Sequence, residues 1–215
     1  MEIKGVIFDL DGVIVDTDRF HYRAWKSLAD RLGIYFDEKI NDRLRGISRR
    51  DSLEIILEGT SKPFTEADKQ RLLDEKNGIY RGCLAALMPK DADRGVYDLL
   101  KTLKEKKIKT AIGSSSKNAR QILSRLGLAD FFDAISDGTN ITKSKPDPEV
   151  FLKAAGFLGL PPENCLVVED AAAGIEAAAA GGFISAAIGG ARGHALAKYD
   201  IERLSDIIKI IYKES

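Results

Sequence analysis

The sequence is poor in cysteine, has no excess of charge of either sign and contains no long uninterrupted hydrophobic run. Its two cysteines, Cys83 and Cys165, are isolated and lack CxxC spacing. Reduced thiols explain this pattern better than a disulfide framework or a zinc site does. Lysine plus arginine and aspartate plus glutamate each total 33, so the formal net charge is zero. This balance argues against nucleic acid or an anionic membrane as the main partner.

No stretch of the sequence is suited to export or to membrane insertion. The first residues enter an apolar stretch that reaches Asp9 before a signal-like segment develops, so we expect no signal peptide. The Ala/Gly-rich segment 171–191 carries Glu176 and is interrupted by Gly181 and Gly182, which excludes a membrane span. With 44% hydrophobic residues over 215 positions, the chain can bury a large core. We expect a cytosolic protein and, by default, a monomer.

The segment Val6–Val13 predicts a buried strand that ends in two carboxylates. Asp9 and Asp11 stand two positions apart, so their side chains project to the same side of an extended chain. The carboxyl end of a strand in a parallel α/β sheet is where ligands bind. Two acids there can share a divalent cation, or one can act as nucleophile and the other as acid/base. Taken alone, the motif could equally be a solvated turn.

The rest of the chain divides into a helical block and an alternating α/β region. Apolar residues follow helical spacing from Tyr22 to about Gly82, and no strand pattern occurs between Val15 and Ala92. Later strands are predicted at 108–113, 134–136, 165–168 and 183–188, with helices between them and a final helix over 201–211. The alternation predicts a doubly wound, Rossmann-like parallel sheet. We expect an α/β core over 1–15 and 93–215 and an inserted helical cap over 16–92, joined by hinge segments.

Four polar clusters follow the predicted strands. They are Asp9-Leu10-Asp11, Ser114-Ser115-Ser116-Lys117-Asn118, Lys143-Ser144-Lys145-Pro146-Asp147-Pro148 and Glu169-Asp170. Each cluster alone could cap a helix or end a strand. Because the carboxyl ends of parallel strands share one edge of the sheet, the four clusters are expected to meet there.

The four clusters resemble the motifs of the haloacid dehalogenase superfamily of phosphotransferases and phosphatases. The resemblance implies that Asp9 is a nucleophile that forms an aspartyl-phosphate, and that Asp11 is a general acid and base. It also implies that Ser114 and Lys145 bind the transferring phosphoryl group and offset its charge. One Mg²⁺ ion is expected, and its implied ligands are Asp9, Asp11 through its backbone carbonyl, Glu169 and Asp170.

The helical block resembles the β-phosphoglucomutase family in particular. The segments that carry this likeness are His21-Tyr22-Arg23-Ala24-Trp25, Arg45-Gly46-Ile47-Ser48-Arg49, Asp51-Ser52-Leu53, Lys76-Asn77 and Ser114-Ser115-Ser116-Lys117-Asn118. That family converts β-D-glucose 1-phosphate to D-glucose 6-phosphate through β-glucose 1,6-bisphosphate, which also serves as its activator. The substrate-binding residues implied by the likeness are Thr17, His21, Trp25, Gly46, Arg49, Ser52, Lys76, Ser115, Ser116, Lys117 and Asn118.

A mutase needs two phosphate sites, because either phosphoryl group of the bisphosphate must reach Asp9. Arg49 and the segment 116–118 are the expected second site, since a guanidinium and a helix amino terminus both favour anions. Thr17 is interpreted as a hinge residue and His21 as a relay of cap closure. Trp25 is interpreted as cap packing more than as a sugar platform.

Two alternatives stay open at this point. A sugar-phosphate or phosphoglycolate-type phosphatase would use the same core residues and only one phosphate site. A non-catalytic phosphosugar-binding protein is disfavoured because every catalytic position of the motifs is filled. Dehalogenation is set aside because enzymes that cleave carbon–halogen bonds do not resemble this sequence at Asp11. Glucose and other hexose phosphates present similar groups, so the preferred sugar is left open.

Overall fold

The computed structural model describes residues 2–44 and 47–214. In this part of the chain, six parallel strands form a single sheet. They are β1 (Gly5–Phe8), β2 (Lys109–Gly113), β3 (Ala134–Ser136), β4 (Cys165–Glu169), β5 (Ile184–Ala187) and β6 (Tyr199–Asp200). Their order across the sheet is β3-β2-β1-β4-β5-β6. The expected doubly wound parallel sheet is confirmed, with β1 at its centre.

The register of the sheet aligns the ends of the three central strands. Phe8 of β1 is level with Ile112 of β2 and with Val168 of β4. Because these strands run in the same direction, the residues that follow them emerge at one edge of the sheet. Asp9 and Asp170 therefore lie at the same edge.

The sheet is covered on both faces by helices. These helices are α5 (Val96–Glu105), α6 (Ala119–Arg125), α7 (Glu149–Leu158), α8 (Ala172–Ala180) and α9 (Ile207–Lys213). Val6 and Phe8 pack against the face covered by α5, α6 and α9. Ile7 points to the opposite face, which α7 and α8 cover through residues such as Phe151. Burial on both faces explains why β1 is uninterruptedly apolar rather than alternating.

Among the described residues, four α-helices stand between β1 and α5. They are α1 (Asp18–Leu32), α2 (Glu38–Asp42), α3 (Arg49–Leu57) and α4 (Glu66–Leu84). Apolar residues from α1, α3 and α4, including Trp25, Leu53 and Leu72, form a cluster of their own. A capping box between Thr65 and Asp68 fixes the start of α4, because it satisfies backbone N–H groups that the helix leaves free. No helix within the described ranges is long and apolar enough to cross a membrane.

The two segments that connect these four helices to the sheet lie side by side. Val15, on the way out of the sheet, forms bridges with Asp11 and with Ala92, on the way back. The backbone N–H of Asp93 donates to the carbonyl of Ile14 at 2.8 Å. Any motion of the four helices relative to the sheet therefore involves this paired connection.

The carboxyl-terminal region differs from the prediction. The predicted helix over 201–211 is wrong at its start, because α9 begins only at Ile207 and is preceded by the short strand β6. Backbone bonds from Lys198 to Ser185 (3.1 Å) and from Ile201 to Ala187 (2.9 Å) tie this segment to β5. The exposed edge of β5 offers hydrogen-bonding partners that an isolated helical pattern does not take into account.

Candidate active site

The centre of the site is a buried ion-pair network at the end of β1. The backbone N–H of Asp9 donates to the carbonyl of Val168 at 2.9 Å, which fixes the residue against β4. Lys145 Nζ lies 2.5 Å from Asp9 Oδ1 and 2.7 Å from Glu169 Oε2. Burial alone would lower the pKa of Lys145, but the Asp9 and Glu169 carboxylates outweigh it and raise that pKa above its ordinary value. Lys145 is therefore a fixed positive charge beside Asp9.

Three carboxylates in this network can hold a cation. One carboxylate oxygen each of Asp9, Glu169 and Asp170 lies within 4.8 Å of the other two. Burial, followed by the nearby charge of Asp9, raises the pKa values of both Glu169 and Asp170. One lysine does not offset the negative charge gathered here, so the donor set suits a hard divalent cation with oxygen ligands.

Two glycines give these carboxylates the space they occupy. A Cβ atom at Gly12 would lie 2.0 Å from Asp170 Oδ2, and Gly12 also has a positive φ of 88°. A Cβ atom at Gly174 would lie 2.0 Å from Glu169 Cδ. Glycine is required at both positions because the carboxylates lie where any other side chain would begin. Glu169 Oε1 also accepts backbone N–H bonds from Asp170 (3.2 Å) and Ala171 (3.1 Å).

Asp11 occupies a different environment from Asp9. It is half-buried and accepts a hydrogen bond from Thr17 Oγ1, and the Tyr80 hydroxyl in turn donates to Thr17 Oγ1 at 3.2 Å. Burial and the neighbouring Asp9 carboxylate raise the pKa of Asp11 to about 7. A carboxyl group with such a pKa can both give and take a proton near neutral pH.

The turn after β2 presents a row of hydroxyl groups. Ser114 Oγ accepts the backbone N–H of Ser116 at 3.1 Å, and Ser116 Oγ accepts that of Asn118 at 3.2 Å. The Ser115 Oγ atom is buried and has no hydrogen-bond partner among the described residues. Asn118 Nδ2 donates to Asn77 Oδ1 at 3.0 Å, which joins this turn to α4.

The helices between β1 and α5 form the opposite wall of the site. Lys76 Nζ donates to His21 Nδ1 at 2.9 Å and lies 4.7 Å from the ring centroid of Trp25. Burial, followed by the charges of Lys76 and Arg49, lowers the pKa of His21 well below its ordinary value. A neutral imidazole is the acceptor that Lys76 requires. Burial also lowers the pKa of Arg49.

Nearly all of the predicted site residues line one cavity of about 1160 Å³ between the two walls. Glu169 lies behind this cavity rather than on its surface, because both of its carboxylate oxygens accept hydrogen bonds from the protein. Gly46 lies outside the described residues. Ser52 lines the cavity, but its hydroxyl donates to the carbonyl of Ser48 at 2.9 Å. The members that share the cavity are Asp9, Asp11, Thr17, His21, Trp25, Arg49, Ser52, Lys76, Ser114, Ser115, Ser116, Lys117, Asn118, Lys145 and Asp170.

Tyr80 is a site residue that the sequence pattern did not single out. It is buried, its hydroxyl reaches Asp11 through Thr17, and its ring lies 4.1 Å from the ring of His21. Lys76 Nζ lies 4.6 Å from the same ring. The available signal was its position one helical turn after Lys76, which places both side chains on one face of α4.

A buried carboxylate beside a lysine and a cation-binding group of acids, in a cavity that hydroxyl groups also line, is suited to receive a phosphoryl group. The fold and the site thus define a phosphoryl-transfer enzyme. The chain belongs to the haloacid dehalogenase-like hydrolase family, whose model matches residues 3–182. The resemblance drawn from the four strand-end motifs is confirmed.

Three relatives place the chain more closely within this family. It is 42% identical to a β-phosphoglucomutase from Bacillus subtilis (strain 168) over 215 residues, which are 99% of this chain and 95% of the relative. The crystal structure of β-phosphoglucomutase from Clostridium difficile superposes with a TM-score of 0.92 and 38% identity, covering 99% of this chain and 98% of that one. A phosphorylated carbohydrates phosphatase from Thermotoga maritima is 33% identical, over 84% of this chain and 82% of the relative.

The environment of Lys76 predicts a pH-dependent stability. Burial, followed by the charge of Arg49, lowers the pKa of Lys76 from 10.5 to about 7. The charged or titratable groups around its ammonium are Asp11, His21, Arg49, Tyr80 and Cys83. Above about pH 7 the folded protein holds Lys76 neutral, whereas the unfolded chain keeps it protonated up to its ordinary pKa. The unfolded state then binds more protons, so the free energy of unfolding rises with pH in this window.

Urea unfolding between pH 7 and 9 should therefore show the parent gaining stability relative to Lys76→Met, by up to about 1.4 kcal/mol per pH unit. Lys101→Met, which removes an exposed lysine of α5, should keep the slope of the parent. Parallel curves for the parent and Lys76→Met would contradict the account of this buried lysine.

Proposed function

We propose that this chain interconverts β-D-glucose 1-phosphate and D-glucose 6-phosphate through an aspartyl-phosphate on Asp9 and the intermediate β-glucose 1,6-bisphosphate. The observation that carries the proposal is a single cavity that gathers the strand-end residues around Asp9 together with additional cationic side chains. Asp9, Ser114 and Lys145 line this cavity, and Arg49 and Lys117 add cationic side chains to it that could bind a second phosphate. Similarity to β-phosphoglucomutases along nearly the whole chain supports the same function.

The proposed reaction begins with a phosphoryl group on Asp9 and ends with it restored. As the sugar 6-hydroxyl attacks phosphorus, Asp11 takes its proton and Asp9 leaves as a carboxylate. The resulting bisphosphate turns over, and Asp9 then attacks the phosphorus of the 1-phosphate. Asp11 returns the proton to the departing O1 atom, which yields glucose 6-phosphate. A pKa of about 7 for Asp11 suits both transfers.

Charge near the nucleophile is balanced by the protein and by a cation. Lys145, 2.5 Å from Asp9, offsets the repulsion between the carboxylate and an approaching phosphoryl group. Asp9, Asp170 and the Asp11 carbonyl would hold one Mg²⁺ ion, with Glu169 behind them. When bound, that ion supplies further positive charge to the transferring phosphoryl oxygens. The hydroxyls of Ser114 and Ser115 are the proposed donors to the same oxygens.

We further propose that residues 16–92 act as a cap over a core of residues 1–15 and 93–215. Thr17 at the start of α1 is the proposed hinge, and it carries the contact between Tyr80 and Asp11. The bond between Asn77 and Asn118 joins the cap to the proposed second phosphate site. Binding there would favour the closed cap, which keeps water from the aspartyl-phosphate.

We also propose that the protein works as a monomer in the cytosol. Cys83 and Cys165 are free thiols, as expected in a reducing compartment.

A phosphatase acting on a sugar phosphate is the second candidate. Similarity to the phosphorylated carbohydrates phosphatase of Thermotoga maritima favours it, and the same core residues would serve it. Such an enzyme has no need for a second anion site. The presence of Arg49 and Lys117 in the cavity therefore favours the mutase.

The two candidates give different products in one assay. With β-glucose 1-phosphate, Mg²⁺ and a trace of β-glucose 1,6-bisphosphate, we expect glucose 6-phosphate to accumulate with little inorganic phosphate. Coupled detection of both products follows the reaction. Release of inorganic phosphate without glucose 6-phosphate would establish the phosphatase instead.

Arg49 tests the second phosphate site. Arg49→Ala removes a cation that would bind the phosphate remote from Asp9, so mutase turnover should fall by about 10- to 100-fold. Phosphorylation of Asp9 by acetyl phosphate, which has no second phosphate, should stay within about twofold of the parent. Arg43→Ala is the matched control, because Arg43 belongs to the same helical block, lies outside the cavity lining and pairs with Glu58. Equal losses in both reactions of Arg49→Ala would argue against a second site.

A further inference from the structure

The loop that carries Lys145 has no regular secondary structure to hold it. Residues 137–148 connect β3 to α7 without a helix or strand, yet Lys145 within this loop is only 3% exposed. A buried lysine on irregular backbone needs other contacts to fix its position.

Glu149, the first residue of α7, ties the middle of this loop to the helix that follows it. Its Oε2 atom accepts hydrogen bonds from the Thr142 backbone N–H (2.9 Å), the Thr142 hydroxyl (2.9 Å) and the Lys143 backbone N–H (2.7 Å). Lys153 Nζ lies 2.7 Å from the other oxygen, Oε1. Three donors from the loop thus converge on one carboxylate oxygen, which closes the chain from 142 to 149 into a ring.

The electrostatic setting keeps this carboxylate charged. Its pairing with Lys153, followed by the backbone bonds from Lys143 and Thr142, lowers the pKa of Glu149 to about 2. Glu149 also stands at the amino terminus of α7, where the helix dipole favours an anion. Hydrogen bonds to a charged acceptor are stronger than neutral ones. Glu149 therefore stays a charged acceptor for the loop donors near neutral pH.

The closed ring determines where Lys145 can lie. Inside it, the Asp147 backbone N–H donates to the Ser144 carbonyl at 3.0 Å, which tightens the turn around Lys145. Helix α7 packs against the sheet through Phe151, and Lys145 Nζ lies 4.7 Å from the ring of that residue. Glu149 thereby fixes the loop to α7, the helix whose Phe151 ring lies beside Lys145.

We propose that Glu149 is a positioning residue, which acts on phosphoryl transfer by holding Lys145 against Asp9. Glu149 does not line the cavity, so it acts through the loop and not on the substrate. The inference rests on the proposed function in one respect, namely that Lys145 offsets charge during phosphorylation of Asp9. A residue that only stabilised α7 would lower the stability of the fold and leave that step unchanged.

The test measures the rate of Asp9 phosphorylation by acetyl phosphate in the presence of Mg²⁺, because this donor contains no sugar. Glu149→Ala should slow labelling about tenfold or more, since a displacement of about 1 Å is costly in a transfer site. Asp98→Ala is the matched control. It removes an acid from the first turn of α5, on the opposite face of the sheet, and should stay within about twofold of the parent.

Glu149→Gln keeps one oxygen for the Thr142 and Lys143 amides, so it should recover most of the labelling rate. Amide hydrogen exchange at Thr142 and Lys143 should be fast in Glu149→Ala and slow in the parent and in Glu149→Gln. The Gln variant and the exchange measurement keep the inference testable if Glu149→Ala folds poorly.

A double-mutant cycle separates positioning from stability. In a Lys145→Ala background, Glu149→Ala should add less than about twofold, because the residue it positions is absent. The inference would be overturned if the losses in labelling rate of Glu149→Ala and Lys145→Ala multiplied, or if Glu149→Ala and Asp98→Ala were labelled at equal rates. Labelling of the parent in the same experiment would still support the proposed function. A parent that acetyl phosphate does not label would overturn both.

Discussion

The ion-pair network of Lys145, Asp9 and Glu169 is the interaction on which the rest of the site depends. All three side chains are almost fully buried, where an unpaired charge would be costly. The lysine places a positive charge against Asp9, the carboxylate that is proposed to attack phosphorus. Asp170 adds negative charge that one lysine does not balance, which explains why the acids suit a divalent cation.

The fold supplies this network because parallel strands end at a common edge. Asp9 and Glu169 are contributed by neighbouring strands whose register is fixed by backbone hydrogen bonds. Lys145 comes from a loop, and its position depends on side-chain contacts to α7. The proposed nucleophile Asp9 is therefore held by the sheet. Its counter-ion Lys145 is held by a loop whose position is proposed to depend on Glu149 of α7.

The helices inserted after β1 contribute contacts to Asp11, the second acid of the first motif. Asp11 is linked through Thr17 to Tyr80 on α4, so the residue proposed to move protons touches the proposed cap. Asp9 is instead paired with Lys145. Two acids that stand two positions apart thus contact different parts of the molecule, which accounts for their different proposed roles.

Much of this arrangement could be predicted because the informative residues stand directly after strands. Asp9, Ser114 and Glu169 follow or end apolar runs, and parallel topology alone brings such positions together. The contact of Tyr80 with Thr17 could not be predicted, because it joins positions 63 apart on elements whose packing depends on the whole inserted block. Strand β6 could not be predicted for a similar reason, because pairing with the edge of β5 stabilises it and its own sequence carries no strand pattern.

The most direct test of the central claim is to locate the covalent phosphate. After reaction with acetyl phosphate and Mg²⁺ followed by rapid quenching, mass spectrometry of proteolytic peptides should place the label on Asp9 and find none in Asp9→Asn. Labelling of Asp11 or of any other residue, or a label that persists in Asp9→Asn, would contradict the account.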